Sequence, residues 1–285
     1  MAHERSTRDE MFLRYVEPAG RRVVDVGCGS GELVRWLRDQ GADPVGVECG
    51  EVMIQQAREA DPDHPEAYLD GVGQDLPLPA ESADAVVMSF SLHHVPPGEM
   101  EEALRETHRV LRPGGILYVA EPMSIGAGHQ VVSLIDDETE VRILAQQALS
   151  PSESLGFETI ADTTYSSQML LDSAEGFASR IVGVDPSRAA RMAERHDEFV
   201  GVTELVARLC GLKRDQVRRF RSTAGRAHAG FNHAVALATG LEQIDEIVRA
   251  IFRDRVLPEY GALQCCARGA DREGEDIGAS RDRRS

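Results

Sequence analysis

The residues whose types and spacing could do chemistry begin with Val23-Val24-Asp25-Val26-Gly27-Cys28-Gly29-Ser30-Gly31. A β-branched run passes straight into glycines at every second position, and a helical pattern follows from about Glu32. Glycines let a backbone pass close beneath a ligand and adopt positive φ, and amides at a helix start can donate to a polar ligand end. The dinucleotide fingerprint is G-x-G-x-x-G. Here the third glycine arrives one residue early and the acid Asp25 precedes the loop. That tighter loop suits a nucleotide-like ligand carrying a cationic amino group better than it suits a pyrophosphate.

Three more groups follow in order. Glu48 closes Pro44-Val45-Gly46-Val47-Glu48, where a strand-end carboxylate can accept both ribose hydroxyls or simply face solvent. Gly73-Gln74-Asp75-Leu76-Pro77-Leu78 is a polar-to-apolar loop. Asp75 there could accept the exocyclic amine of an adenine while Leu76 packs on its ring, or could merely shape a turn. Ser89-Phe90-Ser91-Leu92-His93-His94 ends a further apolar run.

Positioning these groups requires alternating strands and helices. Apolar runs of strand length occur at Arg22 to Val26, Val45 to Glu48, Ala85 to Ser89 and Gly115 to Ala120, with a weaker one at Glu66 to Leu69. They lack the period-two alternation of a half-solvated strand, as parallel strands buried on both faces do. Between them, Leu33, Val34, Trp36 and Leu37 share one helix face, Met53, Ile54 and Ala57 another, and Met100, Ala103, Leu104, Thr107, Val110 and Leu111 a third. Arg112-Pro113-Gly114-Gly115 stops the last of these. Strands alternating with helices predict an α/β, doubly wound, mostly parallel sheet with helices on both faces. Ligands bind such sheets at the carboxyl ends of the strands, where the groups above fall. After Glu121 the spacing predicts one helix over Val131 to Leu149, a strand over Phe157 to Tyr165, and helices over Ala174 to Val184 and Ser187 to Leu209. Residues 1–165 are expected to form the ligand-binding core, 166–260 a helical extension covering an acceptor, and 261–285 a disordered tail.

With four groups in this order, Arg22 to Pro122 resembles the class I S-adenosylmethionine-dependent methyltransferases. The likeness is to their small-molecule subgroup that includes the quinone-ring C-methyltransferases. The segments that carry it are DVGCGSG, GVE, QDLPLP, SFSLHHV and LRPGGILYVAEP. The resemblance implies a seven-stranded Rossmann-like sheet, S-adenosylmethionine as methyl donor, and a small-molecule acceptor methylated at O, N, S or C. It places Asp25, Gly27, Cys28, Gly29 and Gly31 at the donor's methionine end, and Glu48 and Cys49 at the ribose. Asp75 and Leu76 fall at the adenine, and Ser89 and Phe90 beside the sulfonium. Methyl transfer from a sulfonium needs alignment above all, and a general base only where the acceptor must lose a proton. His93, His94 and Glu121 are the candidates for that base by position, with Tyr15 more remote; packing beneath the donor is the plain alternative for the histidines.

Composition bounds the remaining choices. The chain has 285 residues and a formal net charge of −17, with 42% hydrophobic and 28% charged residues. A field of that sign repels phosphate backbones, so no nucleic-acid partner is expected. The basic stretch Lys213 to Arg226 reads as a solvated helix face. The chain shows no membrane span or apolar leader, and five irregularly spaced cysteines do not form a disulfide framework. A cytoplasmic monomer or homodimer is the expectation. No metal site is expected: Asp136-Asp137-Glu138-Thr139-Glu140-Val141-Arg142 reads as a solvated face with a Glu138–Arg142 pair, and Cys28 and Cys49 are not metal-spaced. The competing readings are an RNA- or protein-directed methyltransferase, a cofactor-binding protein without catalysis, and a nicotinamide dehydrogenase. The missing Asn/Asp-Pro-Pro-aromatic loop, the intact glycines and the short glycine spacing count against them in turn.

Overall fold

The computed structural model describes residues 4–150, 152–166, 173–209 and 262–269. Its sheet contains β1 (Glu4–Arg5), β2 (Arg22–Val26), β3 (Asp43–Glu48), β4 (Tyr68–Asp70), β5 (Ala83–Ser89), β6 (Leu111–Pro122), β7 (Phe157–Ser166) and β8 (Ala262–Gly269). Their spatial order is β1-β7-β8-β6-β5-β2-β3-β4. β2 pairs in parallel with both β3 and β5, β3 with β4, and β5 with β6. The chain winds from β2 outward through β3 to β4, then returns to β5 on the other side of β2 and winds outward again. The order reverses between β2 and β5, the place where open α/β sheets bind ligands at the strands' carboxyl ends.

Burial explains why these strands show no polar alternation. Val24, Val26, Val86, Met88, Leu117 and Val119 face one side, where helices α4 (Met100–Val110) and α6 (Thr139–Leu149) cover them. Val23, Ala85, Val87, Tyr118 and Ala120 face the other, under α1 (Arg8–Tyr15) and α2 (Glu32–Asp39). Both faces are core, so both sets of alternating residues must be apolar. Thr7 and Glu10 close a capping box at the start of α1, fixing its first turn. Phe12 of α1 then packs edge-on against Trp36 and Tyr118, at 5.8 and 5.1 Å between ring centres. α3 (Glu51–Ala60) completes the crossover from β3 to β4.

The structure departs from the sequence expectations in four places. The sheet has eight strands among the described residues rather than seven, because the two-residue β1 adds to the edge at β7. The single helix expected over Val131 to Leu149 is two, α5 (Gly126–Val132) and α6, because the polar Asp136-Asp137 step lies between two apolar patches that face different partners. Part of the expected tail is β8, which inserts antiparallel between β6 and β7. Its apolar pair, Ala262-Leu263, is too short to signal a strand, and only long-range pairing reveals it. Finally, β6 begins before the proline turn: Ala83 pairs with Leu111 and Ala85 with Ile116, leaving Arg112 to Gly115 as an irregularity in the ladder.

Beyond β6, α5 packs with α7 (Ala174–Val184) and α8 (Ala189–Leu209) around Val131, Leu134, Ile135, Phe177, Ile181 and Phe199. This helical layer recruits residues from both sides of the expected boundary at 165/166. The basic stretch Lys213 to Arg226 lies outside the described residues. Among those described, no helix is long and apolar enough to cross a membrane.

Candidate functional site

The glycine loop sits at the reversal in strand order, and its glycines are required by contact as well as by dihedral. Gly27 has φ +76°, and a Cβ there would lie 2.5 Å from Cβ of Ser91 in the turn after β5. Gly31, the N-cap of α2, has φ +77°, and its Cβ would meet the Tyr68 ring at 2.6 Å. Ser91 is itself locked by donating from Oγ to the Val26 carbonyl at 2.6 Å. The loops after β2 and β5 are thus pressed together at the switch point, with room for backbone only. Gly27 N and Cys28 N donate to the Val47 carbonyl, at 2.8 and 3.1 Å, tying the loop to β3 as well.

Asp25 points into this junction almost fully buried, at 2% exposure. Burial pushes its carboxyl up to about 7, against the pull of Arg8 from α1 and with help from the repulsion of Glu48. A buried carboxyl beside a glycine cradle fits a ligand bearing a cationic amine, which would restore the carboxylate to its charged form. Arg8 was not singled out from sequence; nothing in its neighbourhood signals that α1 folds back over β2.

Glu48 is half-buried, and its two oxygens accept from Gly29 N at 2.9 Å and Gly50 N at 2.7 Å. It therefore staples the two glycine turns at the ends of β2 and β3. Cys28 is buried against Val34 and Ile54, and burial raises its thiol pKa, as burial and Glu48 do for the exposed Cys49. Neither is an activated thiol.

The loop expected at an adenine is held from below. Leu76 N donates to Glu106 at 2.9 Å, and Arg109 donates to the Leu76 and Leu78 carbonyls at 3.0 and 2.9 Å. Asp75 is exposed at the tip of a turn closed by its N–H to the Val72 carbonyl at 3.2 Å. Leu76, by contrast, is 3% exposed and belongs to the main core. Its side chain packs under the loop. Glu106 and Arg109 escaped the sequence reading because on a helix such a pair looks like any solvated i,i+3 pair.

Ser89, half-buried, ends β5 opposite Ala120 of β6. Phe90 follows with φ +58° and its N–H donating to the Ala120 carbonyl at 2.7 Å. A bulky residue in the left-handed region costs on the order of 1 kcal/mol and holds its ring, 38% exposed, at the cleft rim.

The candidate bases converge with groups that lie far apart in the chain. Glu121, fully buried at the end of β6, accepts from Leu92 N at 2.9 Å and holds His93 Nδ1 at 2.5 Å. His94 packs against His93 at 4.1 Å between ring centres and is exposed on its outer side. Burial, then His93 and Arg188, lower its pKa against the pull of Glu138 and Glu121. Beyond His93 stands Glu138, with Oε1 4.0 Å from His93 Nε2. The expected Glu138–Arg142 pair is present. It is not on a solvated face, however: Glu138 is 9% exposed, held between Arg142 of its own helix and Arg188 from the turn before α8. There Arg188 donates to Glu138 at 2.6 Å and to Asp136 at 2.8 Å. Burial would raise the Glu138 carboxyl, but Arg142, His93 and Arg188 outweigh it and hold it below the ordinary range. Arg188 had no signal in the sequence. Tyr15 lies away from this cluster, against the apolar sheet face.

Comparison with known proteins agrees with this geometry. Residues 24–119 match the family model described as a methyltransferase domain. That span holds the glycine loop, Glu48, the Asp75–Leu76 loop and the Phe90–His94 turn, while Glu121 and Glu138 lie beyond it, and it defines the class: residues 24–119 are the core of an S-adenosylmethionine-dependent methyltransferase. S-adenosylmethionine is accordingly the cofactor of this domain. Over 157 residues the chain is 27% identical to an uncharacterised methyltransferase of Synechocystis, covering 51% of this chain and 71% of that one. Over 117 residues it is 37% identical to a demethylmenaquinone methyltransferase of Beutenbergia cavernae, covering 41% and 45%. The chain thus spans between 45% and 71% of the length of these relatives. A crystal structure from Bacillus halodurans, whose own description as a methyltransferase is provisional, shares the fold at a TM-score of 0.51 with 14% identity, covering 92% of this chain and 98% of that one.

Proposed function

We propose that the whole chain transfers the methyl group of S-adenosylmethionine to a small-molecule acceptor bound between the Phe90–His94 turn and the helical layer. The observation that carries this is the junction of Gly27 with Ser91, which brings the glycine turn after β2 and the histidine turn after β5 together at one site. The cofactor supplies a methyl group already activated on a sulfonium, so the protein's task is alignment and exclusion of water. Asp25 binds the amino group, with the Gly27, Cys28, Gly29 and Gly31 backbone beneath the methionine end. Glu48 reorients from the glycine amides to the ribose hydroxyls, with Cys49 at its edge. Asp75 accepts from the adenine amine, while Leu76 supports that loop from the core. Ser89 and Phe90 border the sulfonium. His93, His94 and Glu121 take up or polarise the acceptor's proton.

The acceptor is small because the chain's charge of −17 disfavours nucleic acid. The similarity to a demethylmenaquinone methyltransferase supports an oxygenated ring as one candidate acceptor. Incubating purified protein and cell extract with trideuteromethyl-labelled donor, followed by mass spectrometry, tests the reading. A labelled small molecule is expected; label confined to RNA or protein would overturn the acceptor class, and no binding of S-adenosylmethionine by calorimetry would overturn the whole reading.

A further inference from the structure

We propose that His93, His94 and Glu138 bind one divalent first-row metal ion, which takes an oxygen of the acceptor as a further ligand. Nothing in the chemistry of methyl transfer requires this site, and its ligands come from two elements, the turn after β5 and the start of α6. One donor atom from each of the three lies within 4.8 Å of the others. His93 Nε2 and Glu138 Oε1 are 4.0 Å apart. That is too long for a hydrogen bond, yet it matches two donors in one shell, which lie roughly 3–4 Å apart when each is about 2.0–2.2 Å from the ion.

The surroundings of the three groups are those of a ligand set. Glu121 holds His93 Nδ1 at 2.5 Å, which fixes the ring and turns Nε2 toward Glu138. A buried carboxylate behind a histidine is the usual second partner of a metal-bound imidazole. His94 contributes the exposed side, through which an ion and an acceptor oxygen can enter. Two imidazoles and one carboxylate with open positions suit borderline ions such as Zn2+, Fe2+, Co2+ or Mn2+. The guanidiniums of Arg142 and Arg188, both on Glu138, oppose a cation. Arg188 is shared with two further carboxylates, Asp136 at 2.8 Å and Asp185 at 3.7 Å, which offset its charge. Arg188 and Arg142 then hold Glu138 in place as it shares an oxygen with the ion.

An acceptor hydroxyl bound to the ion would ionise near neutral pH. Its O–H bond breaks, the electron pair stays on the metal-bound oxygen, and the proton leaves to water. The acceptor class is then one with a hydroxyl or enol oxygen. Only this statement about the acceptor rests on the methyl-transfer reading; ion binding stands apart from it.

The test is a titration of the chelator-treated full chain with Co2+, read by the visible d–d absorption of the bound ion, with S-adenosylmethionine binding measured in parallel by calorimetry. One equivalent of Co2+ should bind, displaced by Zn2+. His94→Ala and Glu138→Gln should each weaken it by more than about 100-fold, and Glu121→Gln by about 10- to 100-fold, while His64→Ala binds as the unaltered chain does. His94 is exposed, so its variant tests the site without risk to the fold. Absence of a Co2+ band, or a band that survives both His94→Ala and Glu138→Gln, overturns the proposal. If Co2+ binds as expected and S-adenosylmethionine does not, the site stands and the methyltransferase reading fails; the reverse result removes the site alone.

Discussion

The two walls of the cleft are built on different principles. The glycine wall is local: Asp25 to Gly31 and Glu48 to Gly50 lie close in sequence, and its form comes from backbone, with three positive-φ glycines and a carboxylate capping two amides. The histidine wall is assembled from side chains at 93, 94, 121, 138, 142 and 188, brought together by β5, β6, α6 and the turn before α8. Each wall buries a strand-end carboxyl. Asp25 is left with little compensation and is pushed up to about 7, whereas Glu121 is bonded to Leu92 N and His93.

The contrast can be broken from either side. The largest effect is expected for Gly27→Val, which forces a Cβ to 2.5 Å from Ser91 at φ +76°. Cofactor binding should fall below detection in calorimetry, with a loss of about 3 kcal/mol in urea unfolding. Retained binding would mean that the two turns are not pressed together.

Asp25→Asn comes next. In the folded chain this carboxyl holds its proton up to about pH 7, against an ordinary value of 3.8. The folded state therefore binds more protons between these values, and stability declines as pH rises through that window, by up to ~4 kcal/mol. The asparagine variant should lack that decline and melt at a higher temperature than the unaltered protein at pH 8. Cofactor affinity in the unaltered chain should fall about tenfold per pH unit below 7, because the amine requires the ionised carboxylate; a flat pH profile would remove Asp25 from the site.

Arg188→Ala uncovers the buried Glu138 and should cost ~3 kcal/mol. The two walls are independent if the cofactor Kd then moves less than about twofold, and coupled if it moves much more. His94→Ala should disturb fold and cofactor binding least, within about 0.5 kcal/mol and twofold, while turnover drops by about 100-fold. Lost cofactor binding in that variant would make His94 part of the donor site.

How much of this was legible follows from the same contrast. The alternation of β2, α2, β3, α3, β5, α4 and β6 was readable because each strand is apolar on both faces and each helix carries one apolar stripe. The break between α5 and α6 was not, since an uninterrupted helical period hides a change of packing partner. β8 was invisible because a central strand that pairs antiparallel with both neighbours owes its existence to them, not to its own Gln264-Cys265-Cys266. Leu76 and Glu138 were each misjudged in burial, the first taken for a ring contact and the second for a solvated acid.

From its sequence alone this chain declared a nucleotide-like donor held at an acid-preceded glycine turn, because positive φ and close approach admit almost no other residue there. Tertiary structure alone decided that Gly27 abuts Ser91, that Arg8 faces Asp25, and that Glu121, Glu138 and Arg188 close around two histidines. Backbone constraints are written in residue type at each position, whereas buried side-chain networks are written only in the distances between elements.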